Sequence, residues 1–192
     1  MINSLSNTVY IDINHIGAFR EFTSALSSLL NDPTLPYYEN IVIVCIGTDR
    51  STGDSLGPLV GYKLSTLRYA NVHIMGTLDQ PMHAKNLEEN YNFIKENYSH
   101  PLIIAIDACL GKMDHIGYVT INKGPLKPGA GVNKVLPEIG DISIAGIVNF
   151  SGYLDYLVLQ NTRLSIVMKM TDLITSGLRY VLWKKYPQRI SI

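Results

Sequence analysis

Runs of apolar residues that alternate with amphipathic stretches predict strands and helices in turn along this chain. Residues 41–46 and 101–106 are continuously apolar, which is typical of central parallel strands covered on both faces. Shorter runs at 8–13, 71–76 and 142–148 predict three further strands. The pattern therefore predicts at least five strands, two of them deeply buried.

Apolar residues at helical spacing lie between these runs. The predicted helices cover about 15–30, a segment that begins at Gly57 and Pro58, 84–97, and 153–182 with a break near Asn161 and Thr162. Strands and helices that alternate with short connections are typical of a three-layer α/β sandwich with a mostly parallel, doubly wound sheet. We expect one domain over residues 1–192.

Two segments depart from this alternation of buried strands and helices. Residues 116–122 alternate between apolar and polar side chains, which predicts an edge strand. Residues 123–131 contain two prolines and three glycines, which predict a loop. This loop lacks the adjacent lysine-serine pair of a phosphate-binding loop and does not open a helix after a strand, so we do not expect it to hold a phosphate.

Composition excludes several functional classes. Sixteen basic and sixteen acidic residues give a formal net charge of zero, which disfavours nucleic acid as a partner. No stretch reaches the roughly 18 apolar residues that a membrane span needs, and the N-terminus lacks a secretory pattern. Cys45 and Cys109 form neither a CxxC motif nor a disulfide framework. We therefore expect a cytoplasmic, reduced protein without a membrane partner.

Two carboxylates are predicted to meet at one edge of the sheet. Asp54 lies in a polar turn after the strand at 41–46, and Asp107 directly follows the strand at 101–106. Ligands of open α/β sheets bind at the carboxyl ends of the strands. If the two strands are neighbours, the carboxyls could share a proton, a water or a metal ion. The structural alternatives are a helix cap for Asp54 and a strand-closing turn residue for Asp107.

Weaker candidates surround this pair. Asp49, Ser51 and Thr52 could position Asp54 or a ligand, or could satisfy the backbone of the turn, which is the commoner use. Cys109 could be a nucleophile only with a histidine nearby. None of the candidate histidines has the spacing of a zinc motif; they are His73, His83 and His115.

Two motifs resemble those of a known family. The turn GTDRSTGDSLGP, from Gly47, resembles the germination protease signature, which reads roughly G-N, a few residues, then T-P-D-A-L-G-P. AIDACLG, which contains Asp107, resembles that family's A-I-D-A-L motif, and GVNKV, from Gly131, resembles a third. The similarity runs over about residues 41–150 and extends to a smaller group of sporulation proteins assigned as spore proteases. The arrangement is more distantly similar to hydrogenase maturation proteases.

The resemblance implies a phosphorylase/hydrolase-like sandwich and an endopeptidase of sporulation or spore germination. Its implied catalytic residues are Asp54 and Asp107, which activate a water for peptide hydrolysis, and it implies supporting or substrate-binding roles for Gly47 and Asn133. The implied substrate is a peptide or protein, such as a small acid-soluble spore protein, in the forespore or spore core. Maturation proteases hold a metal with two such acids and a later histidine, but no histidine follows His115.

Several alternatives stay open from the sequence alone. The chain could be a binding or scaffold protein of the same fold, or a cysteine hydrolase that uses Cys109. We expect no cofactor and no tightly held transition metal; the alternative is a divalent cation held between Asp54 and Asp107, for which hard carboxylates favour magnesium, calcium or manganese. A homo-oligomer is compatible with the sequence.

Overall fold

The computed structural model describes residues 8–128 and 137–186, and within these ranges the chain forms one six-stranded sheet. The strands are β1 (Val9–Asp12), β2 (Asn40–Cys45), β3 (Val72–Met75), β4 (Pro101–Gly111), β5 (Tyr118–Lys123) and β6 (Ile142–Phe150). Their order across the sheet is β1-β5-β6-β4-β2-β3. Strands β6, β4, β2 and β3 are parallel, whereas β5 is antiparallel to both of its neighbours. The predicted α/β class with a mostly parallel sheet is confirmed.

Helices cover both faces of the sheet. They are α1 (Ala18–Leu30), α2 (Leu56–Leu64), α3 (Leu87–Asn97), α4 (Asp155–Gln160) and α5 (Leu164–Lys185), with 3₁₀ turns at Gly53–Ser55 and Met113–His115. Helices α1, α2 and α5 share one apolar core, and α3 lies over a second, smaller core. The predicted break near Asn161 and Thr162 is confirmed as the gap between α4 and α5. No helix in the described ranges is long and apolar enough to cross a membrane.

The two buried strands serve both cores at once. In β2, Ile41, Ile43 and Cys45 belong to the larger core, and the intervening Val42 and Val44 belong to the core under α3. Successive side chains of a strand point to opposite faces. A strand between two helical layers therefore needs apolar residues at every position, which explains the uninterrupted run in the sequence.

Two strand predictions need correction. The edge-strand prediction for 116–122 is wrong, because β5 lies between β1 and β6. Its alternation has another cause: Val119 and Ile121 face the larger core, while the residues between them are only partly covered. Strand β4 does not end at Ile106 as predicted, since Asp107 to Gly111 continue to pair with β6 across a register shift.

Candidate active site

The polar turn after β2 closes tightly on itself. The N-H of Gly47 donates to the Met82 carbonyl at 2.7 Å, and the Thr48 N-H donates to the backbone carbonyl of Asp54 at 3.1 Å. Gly47 has φ +137°, and a Cβ there would lie 2.0 Å from the Asp54 carbonyl oxygen. Glycine alone fits this conformation and this approach. Gly47 therefore allows the backbone of Asp54 to lie against the end of β2.

Asp54 lies in the 3₁₀ turn that precedes α2. The N-cap position of α2 is Ser55, so the helix-cap interpretation of Asp54 is wrong. The 3₁₀ turn contacts β4, the strand that carries Asp107. Pro58 falls in the first turn of α2, as predicted. The side chain of Asp54 is thus free of a capping role and lies at the carboxyl ends of the parallel strands.

Asp107 lies at the same edge, on the strand next to β2. Strands β2 and β4 pair in parallel with Cys45 opposite Ile106, so Asp107 is the first β4 residue beyond the end of β2. The strand continues past it, which makes the strand-closing turn interpretation wrong. Asp107 is 6% exposed, and one carboxyl oxygen accepts the Ala108 N-H at 2.8 Å. By strand alternation its side chain lies on the α3 face, as does that of Ala105.

Burial raises the pKa of both carboxyls, and the charge of Asp54 also acts on Asp107. Burial raises the pKa of Asp107 well above its usual value, the neighbouring charge of Asp54 raises it further, and the Ala108 N-H partly opposes the rise. Burial also raises the pKa of Asp54, whereas the Thr48 N-H and the charge of His83 lower it. Because the charge of Asp54 raises the pKa of Asp107, the titration of Asp107 depends on that of Asp54. The structure therefore brings together the two acids singled out from the sequence.

His83 is the residue that sequence reasoning undervalued. It lies close enough to Asp54 to lower the pKa of that carboxyl. Residues next to it run beside the end of β2, because Met82 forms a parallel bridge with Ile46. The Nδ1 atom of His83 is buried and has no hydrogen-bond partner in the described part of the chain. The available signal was its place in a turn that follows the β3 run, at the same sheet edge as both acids.

Cys109 lies near the pair but is a poor nucleophile. It follows Asp107 by two residues, and burial followed by the charge of Asp107 raises the pKa of its thiol to about 12. A thiol with this pKa holds almost no thiolate near neutral pH. His115, the histidine nearest in sequence, packs against the rings of Tyr10 and Tyr118, with centroid distances of 5.4 and 5.5 Å.

The remaining predicted site residues lie around the turn without a demonstrated link to the acids. Asp49 is exposed, and the hydroxyl of Ser51 is buried without a partner in the described residues. Among the side-chain hydrogen bonds of residues 8–128 and 137–186, none joins Asp49, Ser51 or Thr52 to the Asp54 carboxyl. Asn133 lies outside the described residues, so its predicted role stays a prediction.

A three-ligand metal site of the kind held by maturation proteases does not fit the side chains present. In the described ranges, no group of three or more histidine, cysteine, aspartate or glutamate residues is arranged to hold a metal ion. The other segments, 1–7, 129–136 and 187–192, contain none of these residue types. We therefore derive no chemical step through a metal.

The raised pKa of Asp107 predicts that stability falls as pH rises. Above pH 3.8 the unfolded chain has lost the Asp107 proton, whereas the folded protein keeps it until the pH reaches the raised folded pKa. The free energy of unfolding therefore falls as pH rises between these two pKa values. One such group contributes a slope of at most about 1.4 kcal/mol per pH unit. Asp107→Asn should flatten the slope, as measured by urea unfolding between pH 4.5 and 7.5. Cys109→Ala keeps both carboxyls and should retain it; an unchanged slope in Asp107→Asn would contradict the assignment.

Comparison with known proteins finds similarity to one family and to a solved structure. A family model described as "Protein of unknown function (DUF1256)" matches residues 10–177. A protein of Bacillus subtilis (strain 168), "Uncharacterized protein YyaC", is 49% identical over 169 residues, which cover 88% of this chain and 81% of that protein. Among solved structures, the [NiFe] hydrogenase maturation protease HycI from Thermococcus kodakarensis KOD1 matches with a TM-score of 0.49 and 19% identity, over 80% of this chain and 98% of that one.

Proposed function

We propose that this chain, which belongs to the family described as protein of unknown function (DUF1256), is an aspartate-dependent peptidase. The observation that carries the proposal is the pair formed by Asp54 and Asp107: Asp107 lies in β4 just beyond the end of β2, Asp54 lies in the 3₁₀ turn that contacts β4, and both carboxyls have raised pKa values. Carboxyls whose pKa values are raised by burial and by a neighbouring charge are typical of acid-base catalysts. Neither acid forms a salt bridge within the described residues, so an ordinary ion pair does not explain their burial.

The surroundings of the two acids assign different roles to them. Asp107 is the more deeply buried, and the charge of Asp54 raises its pKa further. The Thr48 N-H and His83 favour the ionised form of Asp54. A single proton shared by the pair therefore resides on Asp107. Asp54 is the general base, and Asp107 is the proton donor.

Hydrolysis then follows with balanced proton transfers. Asp54 takes a proton from a water as the water oxygen attacks the scissile carbonyl carbon, and Asp107 gives its proton to the carbonyl oxygen. The resulting neutral gem-diol collapses as the carbon-nitrogen bond breaks. Asp54 returns its proton to the leaving nitrogen, and Asp107 regains one from a gem-diol hydroxyl. Both acids end as they began, which is the requirement for turnover.

The proposed setting is the cytoplasm of the forespore or spore core, during sporulation or germination. This part of the proposal rests on the resemblance of the motifs around Asp54 and Asp107 to germination protease motifs. The proposed substrate is accordingly a peptide or protein, with small acid-soluble spore proteins as the first to assay. No cofactor is part of the proposal. Stoichiometric nickel or zinc in purified protein that is lost in Asp107→Asn would contradict this part.

The direct test is peptide cleavage by the purified full chain. It would be incubated with a small acid-soluble spore protein and with an unfolded polypeptide, and products would be identified by mass spectrometry. We expect cleavage by the natural chain and its loss in Asp54→Asn. If the natural chain cleaves neither substrate while binding one of them, the chain is a binding protein and the peptidase proposal fails.

Cys109→Ala distinguishes the two hydrolase mechanisms. Because the raised pKa of the thiol leaves almost no thiolate, we expect cleavage within about twofold of that of the natural chain. Steady-state kinetics on the substrate found above would measure it. Loss of cleavage in Cys109→Ala together with full activity in Asp107→Asn would establish the cysteine mechanism instead.

A further inference from the structure

A pocket of about 330 Å³ opens at the carboxyl end of β3, on the same sheet edge as the two acids. Its volume lies within the range of small-ligand sites. The end of β3, the loop that follows and the first turns of α3 form its walls. The residues that matter for its chemistry are Thr77, Gln80, His83, Asn86 and Asn90.

The pocket adjoins the acid pair through one shared residue. His83 lines the pocket and also lies close enough to Asp54 to affect its pKa. The loop that carries it is fixed to the site, since the Met82 carbonyl accepts the N-H of Gly47 at 2.7 Å. The pocket and the surroundings of Asp54 therefore share the loop that carries His83.

The polar lining is rich in amides and contains no aspartate, glutamate, lysine or arginine. The side-chain oxygen of Asn86 accepts the backbone N-H of His83 at 2.8 Å, and its side-chain nitrogen donates to the Pro81 carbonyl at 3.0 Å. The Asn90 amide donates to the Asn86 carbonyl at 2.8 Å. These bonds hold the amides in place before any ligand arrives, so they can select a ligand by its hydrogen bonds.

Several polar groups of the lining stay free for a ligand. Within the described residues the side-chain amide of Gln80 makes no hydrogen bond, and that of Asn90 uses only one donor. An apolar ligand would remove these amides from water without pairing them, which costs free energy. A charged ligand would find no aspartate, glutamate, lysine or arginine in the lining. An uncharged ligand with hydrogen-bonding groups avoids both costs.

We propose that this pocket is a substrate subsite that takes an uncharged carboxamide side chain, glutamine or asparagine, beside the bond to be hydrolysed. A carboxamide has both donors and acceptors, so it can pair with the free amide groups of Gln80 and Asn90. The proposal rests on the proposed peptidase function for its place in the reaction. The binding of a carboxamide to the pocket is a property that can be tested without cleavage.

The first test uses cleavage of a peptide library, with products sequenced by mass spectrometry. Glutamine or asparagine should be enriched at one position beside the cleaved bond. Asn90→Leu should reduce the preference for glutamine over leucine at that position by about three- to tenfold, the effect of one neutral hydrogen bond. The matched control is Asn97→Leu: Asn97 is on the same helix and makes the same bond to the carbonyl four residues earlier, but lies outside the pocket. It should keep the full preference.

The second test measures binding by NMR on the natural chain, with N-acetylglutamine methylamide and N-acetylleucine methylamide as probes. The glutamine probe should shift the side-chain signals of His83 and Asn90, and the leucine probe should not. These shifts without any cleavage would support the subsite and overturn the peptidase. Cleavage without a carboxamide preference, and without selective shifts, would overturn the subsite and leave the peptidase standing.

Discussion

Asp107→Asn is expected to lower kcat/KM for peptide cleavage by about 10²- to 10⁴-fold, the usual contribution of a positioned acid or base. Asparagine preserves the shape of the side chain and can still accept the Ala108 N-H, but it cannot give a proton to the scissile carbonyl. Asp54→Asn should lose a similar factor, because an amide cannot take a proton from water. Initial rates on the same substrate measure both losses.

Two further measurements make this prediction specific: the activity of the double variant and that of a surface control. Because the two acids act in one proton cycle, the double variant should be little worse than either single variant. Asp172→Asn is the matched control: it removes an exposed carboxylate of α5 that pairs with Lys63, where ion pairs contribute little. It should cleave at the natural rate. An Asp107→Asn variant that stays within tenfold of the natural rate would contradict the assigned role.

Gly57→Ala is expected to lower the free energy of unfolding by about 3 kcal/mol or more, at the upper end of the range for overpacking. A Cβ on Gly57 would lie 2.0 Å from the carbonyl oxygen of Ile46 and 2.7 Å from its nitrogen. The backbone of Ile46 is hydrogen-bonded to the neighbouring strand and cannot move alone to relieve this clash. The start of α2 must therefore shift away from the end of β2. The shift also displaces Asp54, so cleavage should fall together with stability.

Urea unfolding measures the stability change, with Gly152→Ala as the matched control. Gly152 is exposed after β6, and a Cβ there would first meet a ring carbon of Phe150 at 3.6 Å, an ordinary contact. The control should therefore remain within about 0.5 kcal/mol of the natural chain. A Gly57→Ala variant with the natural unfolding midpoint would show that α2 does not pack against the strand end as described.

Local sequence patterns predicted the central strands well and the ends of elements less well. The uninterrupted apolar runs of β2 and β4 follow from burial on two faces, which a periodicity argument can recognise. The extension of β4 through Asp107 to Gly111 could not be recognised in this way. Those residues are in a strand because β6 runs beside them, and this pairing joins positions about 40 residues apart. Helix α3 begins at Leu87 rather than near 84, because Asn86 binds the His83 N-H and holds a turn there.

The candidate site was likewise predicted only in part. Acids that follow the apolar runs of two neighbouring parallel strands meet at one edge of the sheet by a general rule, so Asp54 and Asp107 could be paired from the sequence. The place of His83 depends on β3 lying next to β2 and on the bridge between Ile46 and Met82. Neither contact leaves a local pattern. The carboxamide pocket depends on the same contacts and was likewise not predicted.

The measurement that tests the central claim most directly is a carboxyl titration by ¹³C NMR, in protein labelled at the aspartate side-chain carboxyl carbons. The Asp107 signal is assigned by its absence in Asp107→Asn. Coupled, buried acids predict that Asp107 titrates well above pH 3.8 and that its midpoint falls in Asp54→Asn, where the neighbouring charge is gone. An Asp107 midpoint near 3.8 that does not change in Asp54→Asn would contradict a shared proton, and with it the proposed division into base and donor.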